Sequence, residues 1–554
     1  MSETRHIEVD AGTVVGAMDH AWRFIGYDEC NYTYMPEGKE LLGKFGALGD
    51  APYYVRTHFT FCNGSCVGSP KFGSTNVYHE DAQGNAVYDF TYYDLILDAI
   101  LESGNLPFVE LGFMPEDLAD PRYKDFPSGA GMGAYREIGW SYPPKDYGRW
   151  ADLIRATAAH LAERYGVQAV ASWYFELWNE PDIFYWSGTI EDYCRLFDVT
   201  EQALHGVLPQ ARLGGPTVAG VFDQGAGREA MQTFLRHCKT GTNACGGGTG
   251  TRLDFITFHV KGAEFFADPN VAKAVPSVGN LVNQVRTGLQ LMAEAGYAGL
   301  DVVLSEADPD TWAAGGLNDN ANMRFRNTEY YASYVAAAYG QILELGRRYG
   351  SRVCPLAWAF MFPQEECFAG TRTFSTQGIN KAMFNAFELL SRMGDDAIGL
   401  CDDAVADIVV DRAVDADFGL AAPRKYTGEG SQTVVSGLAS RSDGAVQILV
   451  YAHCDDIDRN DESEVELRVT GLAPGSYRCT HYRIDADHSN AYAQWVAEGR
   501  PRYPQGERYE RIKRADTLER YEPDRVVSAE KGETTVTWRM PAHAVSMIIL
   551  ERQA

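Results

Sequence analysis

A (β/α)₈ barrel followed by an antiparallel β-sandwich is the fold this sequence predicts, and three observations carry it. Eight short apolar segments between about residues 20 and 395 read as strands, with helix-period segments among them. Several are near-continuous apolar runs, as a parallel sheet buried on both faces requires. After about Gly399 the pattern changes to short alternating segments parted by Asp, Gly and Asn turns, the signature of an antiparallel sandwich.

In chain order the strand candidates are Arg23–Tyr27, Tyr53–His58, Leu106–Gly112, Trp173–Leu177, Arg212–Gly215, Phe255–His259, Val302–Ser305 and Leu356–Phe360. Helical spacing of apolar residues appears in Tyr92–Ser103, Tyr147–Tyr165, Ile190–Val207, Glu329–Tyr349 and Lys381–Met393. The Gly- and Pro-rich breaks Gly241–Gly250 and Pro121–Pro144 read as barrel loops. The sandwich strands expected are Thr433–Gly437, Ala445–His453, Glu464–Val469, Tyr477–Ile484, Thr534–Arg539 and Val545–Leu550, with Asp485–Asp524 as charged loops around a short helix. These assignments divide the chain into a barrel over 15–398 and a sandwich over 399–554, with residues 1–14 as a candidate extra strand of the latter. No repeat of fixed period and no low-complexity tract is visible.

Length and charge narrow the function classes. A chain of 554 residues exceeds what one core usually supports. Its 49 Lys+Arg against 76 Asp+Glu give a net charge of −27, which disfavours nucleic acid and anionic membrane as partners. Ten Trp and 31 Tyr leave aromatic surface for stacking on sugar rings. The 11 cysteines are odd in number and scattered, which fits a reduced, cytoplasmic protein. No apolar leader follows Met1, and no apolar run reaches the ~20 residues that span a bilayer. Cys62-x₃-Cys66 lacks a following His/Cys pair and reads as structural or free thiols; Gly241–Gly250 lacks the strand–loop–helix context of a phosphate loop.

The chemistry is concentrated at two strand ends. Trp173–Leu177 runs into Trp178-Asn179-Glu180-Pro181, where the proline stops the ladder and leaves an acid at the barrel mouth. Val302–Ser305 likewise ends in Glu306. Two carboxylates on different strand ends suit glycoside hydrolysis, with one acid and one nucleophile or base about a single bond. Glu180 is the expected acid/base. It must carry a proton before cleavage, which the aromatic shell around Trp178 and a neighbouring anionic nucleophile favour. Glu306 is the expected nucleophile, ionised throughout.

Tyr53-Tyr54-Val55-Arg56-Thr57-His58, Tyr88-Asp89-Phe90-Thr91-Tyr92-Tyr93-Asp94, Pro107-Phe108-Val109-Glu110-Leu111-Gly112-Phe113-Met114-Pro115, Pro143-Pro144-Lys145-Asp146-Tyr147, Gly214-Gly215-Pro216, Asp254-Phe255-Ile256-Thr257-Phe258-His259 and Ser305-Glu306-Ala307-Asp308-Pro309-Asp310 together resemble retaining glycoside hydrolases of family 39, which include β-xylosidases and α-L-iduronidase. The resemblance spans nearly the whole chain. It implies that Glu180 is the acid/base on barrel strand 4 and Glu306 the nucleophile on strand 7. It further implies that Asn179 binds the sugar 2-OH, that His58 lines the donor-sugar subsite and that His259 stands beside nucleophile or substrate. Arg56, two residues before His58, points the same way on its strand. It is expected either to hold the nucleophile ionised or to form an ion pair with Glu110 or Glu176. Trp358 is expected as the floor under the sugar or as plain core.

One departure bears on substrate. Many family β-xylosidases have a Tyr two residues after the strand-6 His, whereas this chain has Lys261. A Lys there engages the substrate carboxylate in the iduronidase branch, and it serves equally to balance Glu306 or bind a neutral hydroxyl. The reading is therefore a retaining exo-acting β-xylosidase that acts on small oligosaccharides and needs no cofactor or metal. α-L-Arabinosidase or α-L-iduronidase activity is the alternative on the same scaffold, and a catalytically silent glycan-binding protein is the rival from another class. A metal-dependent barrel hydrolase would need more ligands than His58 and His259. Assembly into a homo-oligomer is left open.

Overall fold

The computed structural model describes residues 4–49, 51–66, 73–123, 140–263, 275–313, 315–360, 362, 364–402 and 431–553. Eight parallel strands close into a barrel in chain order: strand 1 Phe24–Tyr27, strand 2 Tyr54–Thr57, strand 3 Leu106–Leu111, strand 4 Tyr174–Leu177, strand 5 Arg212–Val218, strand 6 Phe255–Lys261, strand 7 Val302–Asp308 and strand 8 Val353–Trp358. A principal helix follows each strand: Pro36–Gly46, Thr91–Glu102, Tyr147–Tyr165, Ile190–Val207, Ala226–Thr240, Val278–Glu294, Glu329–Tyr349 and Ala382–Ser391. Three of these, Pro36–Gly46, Ala226–Thr240 and Val278–Glu294, are not among the helical segments named from the sequence. The first holds glycines that weaken its helical pattern. Gly38 is needed there because a Cβ would stand 2.0 Å from the Tyr32 carbonyl oxygen.

The barrel interior is layered, as period-2 strands require. Phe24, Tyr54, Phe108, Tyr174, Phe255, Val303 and Cys354 fill its lower end, with Tyr174 edge-on to Phe255 at 4.9 Å. Two residues further along the strands, Arg56, Glu110 and Glu176 replace aromatics with buried ionisable groups. The next residues inward reach the mouth formed by the C-terminal strand ends, where barrel enzymes carry their chemistry.

Irregularities at two strands aim the mouth residues. Between strands 6 and 7, Val303 pairs with Thr257 but Glu306 pairs with His259, so strand 7 carries one extra residue. This β-bulge reverses the alternation. Val303 belongs to the inner cluster, while Leu304 and Ala307 both face the outer helices. Glu306 and Asp308 thereby turn inward, level with His259 and Lys261. A second shift, between Pro216 and Val218 on strand 5, leaves Thr217 at a positive φ of 55°. Its carbonyl accepts the Glu180 backbone N–H at 2.9 Å.

Ten of the remaining strands form one sheet, while Tyr78–Glu80 with Ala86–Tyr88 and Ser375–Thr376 with Ile379–Asn380 form two small two-stranded pairs. The N-terminal strand Thr4–Ala17 lies within the large sheet, antiparallel to Asp396–Asp402 and parallel to Glu462–Thr470. The other pairs are antiparallel. Ile448, Ile548 and Leu550 share one core with Val465, Leu467 and Trp538 from the other end of the strand order, so the sheet folds face to face upon itself. On the outer side, Leu449, Tyr451, Val545 and Met547 join the core of the barrel against helix Glu329–Tyr349. Residues 485–524 contain two helices rather than the one expected, Ala491–Ala497 and Gly506–Arg514. They pack on Cys367, Phe368 and Ile379 beyond strand 8. All 11 cysteines are free.

The barrel–sheet junction buries His543 against Tyr330, ring centroids 4.9 Å apart. Burial and the neighbouring His453 push the His543 imidazole down to about 3. A base with a lowered folded value stabilises the fold fully above the unfolded value of about 6.5, and that contribution is lost as pH falls from there toward 3, at up to ~1.4 kcal/mol per pH unit. Melting curves of the His543→Asn variant are therefore expected to fall less between about pH 6.5 and 5 than those of the parent. Equal acid slopes would refute this assignment.

Candidate active site

Glu180 and Glu306 meet at the barrel mouth. One carboxylate oxygen of each, together with a ring nitrogen of His259, lie within 4.8 Å of one another. Glu180 follows strand 4 through two left-handed residues, Trp178 (φ 68°) and Glu180 itself (φ 46°). L-residues seldom adopt that backbone, and it persists only where the surroundings fix it. The fixing contacts are the Glu180 N–H to Thr217 O bond and the Trp178 indole, which is buried and donates Nε1–H to Tyr185 O at 3.0 Å. His259 Nδ1 is 2.8 Å from Glu180 Oε1 and 3.7 Å from Glu306 Oε2.

Glu306 lies among basic side chains. Lys261 Nζ donates to Glu306 Oε2 and, at 2.5 Å, to Asp308 Oδ2. Arg56 Nη1 and His58 Nε2 each stand 3.6 Å from Glu306 Oε1. Burial alone would push the Glu306 carboxyl up, but His259, Lys261, His58 and Arg56 outweigh it and hold it well below the usual carboxylate range. Arg56 also reaches the two acids of the neighbouring strands: Nε donates to Glu176 Oε2 at 2.5 Å and Nη2 is 3.2 Å from Glu110 Oε2. Its Nη2 also donates to Asn179 Oδ1 at 3.0 Å, which orients that amide with Nδ2 as its donor end.

Trp358 ends strand 8 beneath these groups, buried, with the Arg56 guanidinium 4.9 Å over its ring and the His58 ring 4.5 Å away. Gly26 makes room for it, since a Cβ there would stand 2.3 Å from the indole. The sequence-predicted site residues Glu180, Glu306, Asn179, His58, His259, Lys261, Arg56 and Trp358 therefore share one neighbourhood.

Several partners escaped the sequence reading. Asp28 Oδ1 faces His58 Nδ1 at 3.0 Å. Asp308 accepts the Trp358 N–H at 3.1 Å and stands 3.2 Å from Arg372 Nη2. Asp310 in turn pairs with Arg326 at 2.5 Å. Asp308 was discoverable by period two from Glu306, but Arg372 lies outside any barrel strand and no spacing announces it. Asp182, two residues past Glu180, is pushed up to about 7 by burial.

Lys261 makes a direct prediction. Removing its charge in Lys261→Met raises the Glu306 carboxyl, so a larger fraction is protonated at mildly acid pH. The acid limb of kcat/KM is expected to move up by about one pH unit or more. A pH–rate profile with an unmoved acid limb would show that Lys261 does not hold the Glu306 charge.

A closed barrel with two facing carboxylates at its C-terminal mouth, one ringed by cations, defines a glycosidase. Comparison with known proteins places it further: residues 54–530 match the model for glycosyl hydrolases family 39, and the chain belongs to that family. It is 25% identical to a β-xylosidase of Geobacillus stearothermophilus over 80% of this chain and 78% of that one. It is 26% identical to α-L-iduronidase of Homo sapiens over 77% of this chain and 61% of that one. Among solved structures, a monomeric β-xylosidase from Caulobacter crescentus CB15 has the same fold at TM-score 0.75 and 23% identity, with 99% of this chain and all of that one covered. Among the described residues no helix is long and apolar enough to cross a membrane.

Proposed function

We propose that this glycosidase is a retaining, exo-acting β-D-xylosidase that releases xylose from xylo-oligosaccharides by double displacement. The carboxylate spacing carries the mechanism. Retaining enzymes hold the two groups about 5–5.5 Å apart and inverting ones about 6.5–9.5 Å, to admit a water. Oxygens of Glu180 and Glu306 within 4.8 Å suit the former. Glu306 attacks the anomeric carbon and forms a glycosyl ester while Glu180 protonates the leaving oxygen. Glu180 then takes a proton from water, whose oxygen displaces Glu306 with overall retention. Asn179 Nδ2 serves the 2-OH, and Trp358 lies under the ring.

The charge around Lys261 supports a neutral donor sugar. Its ammonium is already satisfied by Glu306 and Asp308, so a pentose asks nothing more of it. The β-xylosidase relatives support the same sugar and exo action. An α-L-iduronide is the second reading, favoured by one observation. Arg372 stands behind Asp308 at 3.2 Å, so Asp308 keeps a cation if Lys261 turns to a substrate carboxylate. Rates on aryl β-D-xyloside, α-L-arabinoside and α-L-iduronide, measured in parallel, separate these. The xyloside is expected to lead; a dominant iduronide rate would overturn the choice of sugar.

A further inference from the structure

Glu110 lies directly behind the nucleophile and takes no part in the double displacement. It is fully buried inside strand 3, paired in register with Glu176 on strand 4. Its Oε2 is 3.2 Å from Arg56 Nη2 and 3.2 Å from His58 Nε2. Those two side chains are the ones that approach Glu306 Oε1. Arg56, itself fully buried, thus has three carboxyl groups about it, Glu110, Glu176 and Glu306.

The hydrogen count on His58 decides the state of Glu110. A guanidinium only donates. Arg56 Nη1 is 2.8 Å from His58 Nε2, so Nε2 presents its lone pair. Burial and the Arg56 charge keep this imidazole neutral, and its single ring hydrogen sits on Nδ1, facing Asp28. An ionised Glu110 would set a negative oxygen against that lone pair with no compensating donor there. A protonated Glu110 turns the same 3.2 Å contact into donor and acceptor. The surroundings agree: burial pushes the Glu110 carboxyl well up, Arg56 opposes, and Glu176, Glu306 and Asp28 add to the rise. The buried thiols of Cys30 and Cys62 also lie near it.

We propose that Glu110 is a positioning residue that stands protonated in the resting enzyme, fixing Arg56 and His58 without drawing the positive potential of Arg56 away from Glu306. The role belongs to the nucleophile's setting and holds whichever sugar is cleaved.

Infrared difference spectroscopy of the parent against Glu110→Gln at neutral pH tests the proton directly and needs no substrate. The carbonyl stretch of a protonated carboxyl is expected in the parent and absent from the variant. Loss of an ionised-carboxylate band instead would overturn the proposal. Kinetics test the positioning. Glu110→Ala removes one contact from both His58 and Arg56 and is expected to lower kcat about tenfold with little change in KM, and Gln, a neutral donor of the same shape, is expected to restore kcat to within about threefold of the parent. A Gln variant as impaired as Ala would contradict a neutral Glu110. A change in KM alone would contradict an action through the nucleophile.

Discussion

Glu306→Gln is expected to lower kcat/KM by about 10⁴-fold or more, a loss of at least ~5 kcal/mol of transition-state stabilisation. The amide fills the same space but cannot form the glycosyl ester. Lys261 would then face a neutral carbonyl where it had an anion, so part of the loss is a buried cation left with Asp308 alone. Binding should persist, because the contacts from Asn179 and Trp358 do not pass through the carboxylate. A competitive inhibitor is thus expected to bind the variant with an affinity within about tenfold of the parent's. If turnover survived at more than about a hundredth of the parent rate, the nucleophile would lie elsewhere.

Glu180→Ala is expected to fail in a different manner. General acid–base catalysis contributes about 10²–10⁴-fold, and its share depends on how much help the leaving group needs. An activated aryl xyloside with a good leaving group should still form the ester on Glu306, which then accumulates because no base activates water. A xylobiose-like substrate should hardly react at all. Added azide, which needs no proton removed, should enter the space of the lost carboxyl and release the trapped sugar as a β-glycosyl azide. Absence of any azide acceleration, with equal losses on good and poor leaving groups, would deny Glu180 the acid/base role.

Much of this was legible because local chemistry and global fold agreed. Trp178-Asn179-Glu180-Pro181 marks a strand end by itself, since proline cannot continue a ladder. The helices Tyr147–Tyr165, Ile190–Val207 and Glu329–Tyr349 run as their periodicity says, and the first two begin at the side-chain caps Asp146 and Thr189. Glu306 was legible only as an acid after an apolar run. Read strictly, the alternation from Val303 places Glu306 outside the barrel; the bulge that turns it inward has no sequence mark. The same bulge carries Asp308 beside Lys261, where it helps hold the cation at the nucleophile. Arg372 reaches Asp308 from beyond strand 8, a contact of long range that no spacing encodes. The second helix of 485–524 was likewise hidden, because its apolar face makes sense only against a surface distant in the chain.

Proton NMR of the sugar first released from an aryl β-D-xyloside tests the central claim most directly. Double displacement through Glu306 predicts β-xylose first, with the α-anomer appearing only by later mutarotation. α-Xylose as the first product would mean a single inversion by water, and would contradict both the ester on Glu306 and the reading of the close carboxylate pair.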